Sequence, residues 1–297
     1  MMGTNLQIVV LPSPIWKLKF YGVRGSTPVC DPFVSEFGGN TTCFYLDLLV
    51  KEGDEKVIAI FDAGTGIRQL GKDILSGDIT LTPFILLHMS HFHWDHIQGF
   101  PFFGPAYIPN QKIALYSPHY NDGETDLLER VFARQMHSEY FPVQLDKMGA
   151  DMRFYTTEEF QDALGLDDNV SFHYRKHNHP GGAYSYRLEG YGKSITICTD
   201  LEHGETIDED VVDFCKNSDV LIHDGQYNDE ELPTRRGWGH SSWNQAIEVA
   251  QRAGVGHLYI THHDPDHDDD FLRQAELDCR SRFTNCTFAR EGDEVLI

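Results

Sequence analysis

The chain has 297 residues, 40% of them hydrophobic, which is enough to bury one large core; no repeat or low-complexity tract divides it, so one domain over 1–297 is expected. Its formal net charge of −22 argues against non-specific nucleic-acid binding, because a polyanionic partner needs clustered Lys and Arg to release counterions. Six cysteines without a CxxC pair fit reduced thiols, and no apolar run approaches the ~20 residues that span a bilayer, so an unexported, cytoplasmic protein without a membrane partner is expected.

From the N-terminus, the β-rich run Val57 to Phe61 leads into Asp62-Ala63-Gly64-Thr65-Gly66. Ile67, Leu70 and Ile74 then recur at helical spacing, which predicts a helix after Gly66. The largely apolar run Phe84 to Met89 ends in Ser90-His91-Phe92-His93-Trp94-Asp95-His96, three imidazoles and a carboxylate within six residues. The aromatic patch Phe100, Phe102, Phe103 and Tyr107 follows, suited to core packing or to stacking a base or acyl group. Ser171 to Tyr174 approaches His177-Asn178-His179, Ser194 to Cys198 ends in Thr199-Asp200, and Val220 to Ile222 ends in His223-Asp224. Ser242 to Ala253 reads as a helix, with a capping box from Ser242 to Gln245 and Gly254 just past its end. His257 to Ile260 then ends in Thr261-His262-His263. Polar groups thus collect at strand ends, and strands interleaved with helices predict an α/β layered fold. The acidic stretches Asn228-Asp229-Glu230-Glu231 and Asp264 to Asp270 read as solvated loops.

Imidazole and carboxylate together suit Zn²⁺, Mn²⁺ or Fe, and four such groups in one turn exceed what one open catalytic metal takes from a single segment. Two adjacent divalent ions are expected, Zn foremost, with Mn or Fe accepted by the same donors. Two cations sharing a carboxylate can acidify a shared water from ~16 toward ~7, which provides hydroxide for in-line attack at neutral pH.

The HxHxDH segment at His91 to His96, the lone His in His179-Pro180-Gly181-Gly182, the Asp closing Cys198-Thr199-Asp200 and the strand-final His of Tyr259-Ile260-Thr261-His262 resemble the metallo-β-lactamase superfamily. Gly22-Val23-Arg24-Gly25-Ser26-Thr27-Pro28, Gly38-Gly39-Asn40-Thr41-Thr42 and Gly239-His240-Ser241-Ser242 are similar to its phosphodiesterase branch, which holds ribonuclease Z, phosphoribosyl cyclic phosphodiesterases and cyclic-nucleotide phosphodiesterases. The resemblance runs from about Phe20 to Asp270. It implies an αββα sandwich, two mixed β-sheets back to back with helices outside and metals at one sheet edge. It also implies that His91, His93 and His179 hold one metal, Asp95, His96 and His262 the other, and that Asp200 bridges both. A homodimer is implied by resemblance alone.

Beyond the ligands, His240 just before the helix cap is the candidate proton donor and phosphate contact, and with Asp95 it makes up the expected catalytic pair. Ser241 beside it reads as part of the cap. Asp62 is expected to orient a ligand histidine by accepting its other N–H. His223-Asp224 falls where ribonuclease Z has a His-Glu pair, so Asp224 is expected to support His240, although the shorter side chain argues against a direct relay. Strand alternation points His262 rather than His263 at the metals, leaving His263 and Asp264 in support behind it. Arg24 and Asn40 are candidate contacts to the substrate phosphate or sugar. His88, His119, His137, His173, His177, His203, His257 and His267 have no ligand spacing and read as ordinary histidines.

The favoured activity is metal-dependent hydrolysis of a small phosphodiester, a cyclic nucleotide or related cyclic phosphate, without a long nucleic-acid partner. The alternative is a tRNA 3′-end endonuclease, weakened by the chain's acidity and by the lack of a Gly/Pro-rich basic arm between His96 and His179. An ester, thioester or lactone hydrolase would leave the late Gly239-His240-Ser241-Ser242 element without a role. A metal-holding binding module would leave a nucleophile site unused.

Overall fold

The computed structural model describes residues 16–49, 56–120, 127–155 and 170–297. Two mixed sheets pack face to face. In the first, the strands β1 (Lys17–Gly22), β2 (Cys43–Leu49), β3 (Lys56–Phe61), β4 (Phe84–His88), β5 (Lys112–Tyr116), β6 (Asp151–Tyr155) and β13 (Glu294–Leu296) run in the order β13-β1-β2-β3-β4-β5-β6. The second holds β7 (Val170–His177), β8 (Ala183–Gly190), β9 (Lys193–Cys198), β10 (Val220–Asp224), β11 (His257–Thr261) and β12 (Cys286–Phe288), ordered β12-β11-β10-β9-β8-β7.

Both faces of each sheet are covered, and the apolar residues divide by the two-residue period of a strand. Ala59, Phe61 and Leu86 face the inter-sheet core with Ile195, Ile197 and Ile222 of the second sheet. Their neighbours Ile58, Ile60, Ile85 and Leu87 face the opposite way, toward the helix α1 (Ile67–Ser76) through its Ile67, Leu70 and Ile74. On the far side, Leu221, Leu258 and Ile260 pack against Ala246 and Val249 of the helix Trp243–Ala253 and Leu272 of the helix Asp269–Arg282. Removing one such anchor, for example by Leu70→Ala, costs about 2–5 kcal/mol in lost transfer energy and cavity. The four layers are the expected αββα sandwich. The helix after Gly66 forms, and Ser242 caps the helix Trp243–Ala253 in the expected capping box, with Gly254 left-handed at its end. Phe100 and Phe103 of the aromatic patch are core residues, while Phe102 is exposed and rests on Phe141.

Strands β3 to β6 are parallel, as are β9 to β12. Parallel neighbours present their carboxyl ends at one edge, where open α/β sheets place ligands. Asp62 follows β3, Ser90 and His91 follow β4, Asp200 follows β9, Asp224 ends β10 and His262 follows β11. No described helix is long and apolar enough to cross a membrane.

Candidate metal centre

Three of these strand-end residues take left-handed backbone conformations, Asp62 at φ 62°, Asp200 at φ 55° and His262 at φ 64°. Asp and His enter that region more readily than β-branched residues, at a cost of order 1 kcal/mol each, and such strain gathers at functional sites. Here it coincides with the break between strand and loop that brings all three side chains to one cluster.

Donor atoms of His91, His93 and His179 lie within 4.8 Å of one another, and so do those of Asp95, His96, Asp200 and His262. His96 Nε2 faces Asp95 Oδ2 at 3.3 Å and Asp200 Oδ2 at 3.1 Å. His262 Nε2 lies 3.2 Å from both Asp95 Oδ2 and Asp200 Oδ1. Asp200 also reaches the first group, its Oδ1 being 3.7 Å from His91 Nε2. His91 Nε2, His96 Nε2 and Asp200 Oδ2 are buried without a well-formed hydrogen bond. Donors around one Zn-sized ion, each about 2.0–2.2 Å from it, stand about 3–4 Å apart. The residues present therefore fit two adjacent divalent ions.

Four of the ligand imidazoles are held from behind, which leaves the other nitrogen aimed inward, while exposed His93 meets His179 Nε2 through its Nδ1 at 3.0 Å. Asp62 Oδ2 accepts from His96 Nδ1 at 2.8 Å, while its Oδ1 accepts the Ser90 amide. Ser90 Oγ donates to Asp62 Oδ2, so its 3.0 Å contact with His91 Nδ1 runs from ring to hydroxyl. Gly239 O accepts from His179 Nδ1 at 2.9 Å, and Gln226 Oε1 faces His262 Nδ1 at 3.2 Å. The Ser26 amide donates to Asp95 Oδ2.

Electrostatics follow from crowding three carboxylates and several imidazoles out of water. Burial, then its histidine neighbours, outweigh Asp200 and hold His91 well below the ordinary imidazole pKa, and His179 is lowered for the same first reason. Burial opposes charge on His96 as well, yet Asp200, Asp95 and Asp62 prevail and raise it well above the usual value. The carboxyls of Asp95 and Asp200 stay ionised against burial because His96 and His262 face them. Without cations, protons supply the positive charge that this cluster needs.

His240 borders both groups. One of its ring nitrogens lies within 4.8 Å of donors from His179 and Asp200, and its Nδ1 sits 2.8 Å from Asp224 Oδ2. Asp224 thus contacts His240 as expected, and its shorter side chain does not prevent a direct relay. Asp224 is the last residue of β10, and its Oδ1 accepts the Ser241 amide at 2.8 Å, which ties the His240 segment against the strand end.

Three further expectations part from the geometry. Arg24 is fully buried and donates to the carbonyls of Gly38, Asp264 and His267, so it braces loops and presents nothing to a substrate. The Asn40 side-chain amide and backbone N–H are both taken by Glu291. His263 turns away from the cluster, donating to Ala289 O and stacking on Phe288, because the strand's far face lies in the apolar layer beneath the helices. Asp264, by contrast, stands behind His262 as expected, its Oδ2 accepting from the Gln226 amide whose Oε1 faces His262 Nδ1. Ser90, Gln226 and Gly239, which position ligands, carry no periodic or compositional signal, although Ser90 adjoins the histidine run.

Inward-facing imidazoles and carboxylates at the carboxyl edge of two packed sheets, with an Asp-supported histidine beside them, define a metal-dependent hydrolase. Residues 59–263, more than half of the chain, match the beta-lactamase superfamily domain, and the chain belongs to that family. It is similar to ribonuclease Z of Thermoplasma acidophilum, 24% identical over 89% of this chain and 88% of the relative. Its fold is shared with the metallo-beta-lactamase fold protein YhfI of Bacillus subtilis, at a TM-score of 0.65 and 17% identity over 94% of this chain and 98% of that one. A diphosphatase of the PhnP family has the same fold, at a TM-score of 0.63 and 18% identity over 95% and 98%.

Proposed function

We propose that the protein is a dinuclear phosphodiester hydrolase, with His91, His93 and His179 on one metal, Asp95, His96 and His262 on the other, and Asp200 between them. The observation that carries this is the His240–Asp224 pair beside the ligand cluster, because a phosphodiester with an alkoxide leaving group needs a proton at that oxygen. When bound, two divalent ions supply Lewis-acid charge and acidify water. Zn suits the donors best, with Mn or Fe taking the same set. His240 donates to the departing oxygen while Asp224 stabilises the imidazolium and keeps the remaining proton on Nδ1 of the neutral ring. Asp62, Gly239 O and Gln226 keep the ligand rings aimed inward before substrate arrives.

A small nucleotide or cyclic phosphate is the favoured substrate. The charge of −22 disfavours a long polyanion, and one fold neighbour is described as a diphosphatase. Cleavage of precursor tRNA is the second reading, favoured by the ribonuclease Z relative that aligns over most of both chains. Six unbridged cysteines, five of them buried, support a cytoplasmic setting. The test is a rate survey of metal-loaded protein on bis(p-nitrophenyl) phosphate, 3′,5′-cyclic AMP, a 2′,3′-cyclic nucleotide, a precursor tRNA and a lactone. Selective turnover of a cyclic nucleotide supports the proposal, cleavage of tRNA alone replaces it by the second reading, and turnover of the lactone alone overturns both.

A further inference from the structure

The ligand cluster meets solvent at His93, which is exposed, and two large exposed aromatic residues lie close to cluster residues along the chain. Trp94, the next residue, is 65% exposed, and Trp238, two residues before His240, is 55% exposed. A lone exposed tryptophan is ordinary on a protein surface. The segment that carries Trp238 is not ordinary.

That segment is clamped to the metal centre from both sides. The Glu202 carboxylate, two residues past Asp200, accepts the Gly237 amide at 2.8 and 2.9 Å and the Gly239 amide at 2.7 Å. Gly239 O in turn receives the His179 ring. Gly237 and Gly239 are left-handed, and a Cβ on Gly239 would lie 2.0 Å from His179 Nδ1, so only glycine lets the backbone pass this close. The backbone on both sides of Trp238 is therefore fixed to Glu202 and, through Gly239, to His179.

Charge points the same way. Arg235 places its guanidinium 4.8 Å from the centre of the Trp238 ring, and Arg236 follows it, both exposed. Neither forms an ion pair among the described residues, so both charges are available to a ligand. In a chain of net charge −22, two adjacent exposed arginines just before the candidate proton donor in sequence form a local basic patch suited to an anionic substrate.

We infer that Arg235, Arg236 and Trp238 form a nucleoside-binding rim, in which the base attached to the scissile phosphodiester stacks on Trp238 and the two guanidiniums offset the chain's negative charge. This deepens the phosphodiesterase reading and rests on it. Every base presents a π-face, so the rim selects for a base without reading its identity. The nucleoside comes from a free nucleotide or from the 3′ end of an RNA.

Calorimetric binding to metal-loaded protein tests the rim apart from turnover, with AMP, ribose 5-phosphate and a short single-stranded RNA as probes. Wild type is expected to bind AMP roughly 5- to 100-fold more tightly than ribose 5-phosphate, the worth of one base on an aromatic ring. Trp238→Ala should erase that difference while leaving ribose 5-phosphate unchanged, and Trp238→Phe should keep most of it. Arg235→Ala with Arg236→Ala should weaken both ligands and flatten the salt dependence. Absence of a base preference in wild type, its survival in Trp238→Ala, or equal weakening of both ligands by Trp238→Ala would overturn the inference. A base preference without phosphodiester cleavage would leave the rim standing and remove the catalytic reading. Relative affinity for RNA and AMP separates the two sources.

Discussion

Replacing Asp224 with Asn keeps the volume of a buried side chain and removes its charge. In the structure one oxygen accepts the Ser241 amide and the other lies 2.8 Å from His240 Nδ1. An amide can keep the first contact through its carbonyl, which turns its NH₂ toward the imidazole and forces the opposite tautomer. The imidazolium that must carry the proton then loses its counter-charge and forms less readily. A hydrogen bond to a charged group contributes about 1.5–3 kcal/mol, and each 1.36 kcal/mol is tenfold in rate, so kcat/KM should fall ~10- to 150-fold. The loss should depend on the leaving group. An alkoxide, as in opening a cyclic nucleotide, needs the proton, whereas p-nitrophenolate leaves without it. Steady-state rates on both substrate types, with metal content measured on the same samples, check this. Equal loss on both at unchanged metal content would refute the assignment of His240 as donor.

Three other outcomes are expected. Burial disfavours charge on His262, but Asp200, then Asp95 and Asp224, outweigh it and push its pKa up to about 9 from an ordinary 6.5. The resulting stabilisation of the metal-free protein is fully present below pH 6.5 and lost as pH rises through 9, up to about 3 kcal/mol in urea melts of chelator-treated protein. Metal must displace that proton, so metal affinity should rise over the same window, with proton release on binding. A flat stability profile from pH 6.5 to 9.5 would contradict this. Gly239→Ala should loosen His179 and lower metal occupancy, since the new methyl would meet the ring at 2.0 Å in a left-handed backbone; unchanged metal content would argue that the loop shifts freely. Arg24→Ala should cost about 3 kcal/mol of stability by leaving three carbonyls without their buried donor, yet leave KM unchanged; a raised KM in folded protein would restore Arg24 to the substrate.

Much of the fold was legible because its strands alternate between two apolar faces and stop at ligand-type residues, as Phe61 does before Asp62 and Thr261 before His262. The helix Trp243–Ala253 announced both its ends through Ser242, Gln245 and Gly254. Strand alternation also singled out His262 rather than His263, and His262 enters the cluster, although its left-handed turn just past the strand end helps to direct it there. Residues whose partners lie far along the chain were not legible. Arg24 looked free because its three carbonyl acceptors at Gly38, Asp264 and His267 are brought together only by the folded loops. Asn40 is occupied by Glu291, 251 residues away. The reach of Asp224 depends on where β10 ends relative to Ser241, a matter of tertiary register that residue type does not encode.

The most direct measurement is a stepwise Zn²⁺ titration of metal-free protein, with bound metal per chain and phosphodiester hydrolysis followed on each sample. Two ions per chain in wild type, with hydrolysis rising as the second binds, and one ion with no hydrolysis in His96→Ala are the results predicted here. A single ion in wild type, or full hydrolysis in His96→Ala, would contradict the dinuclear assignment.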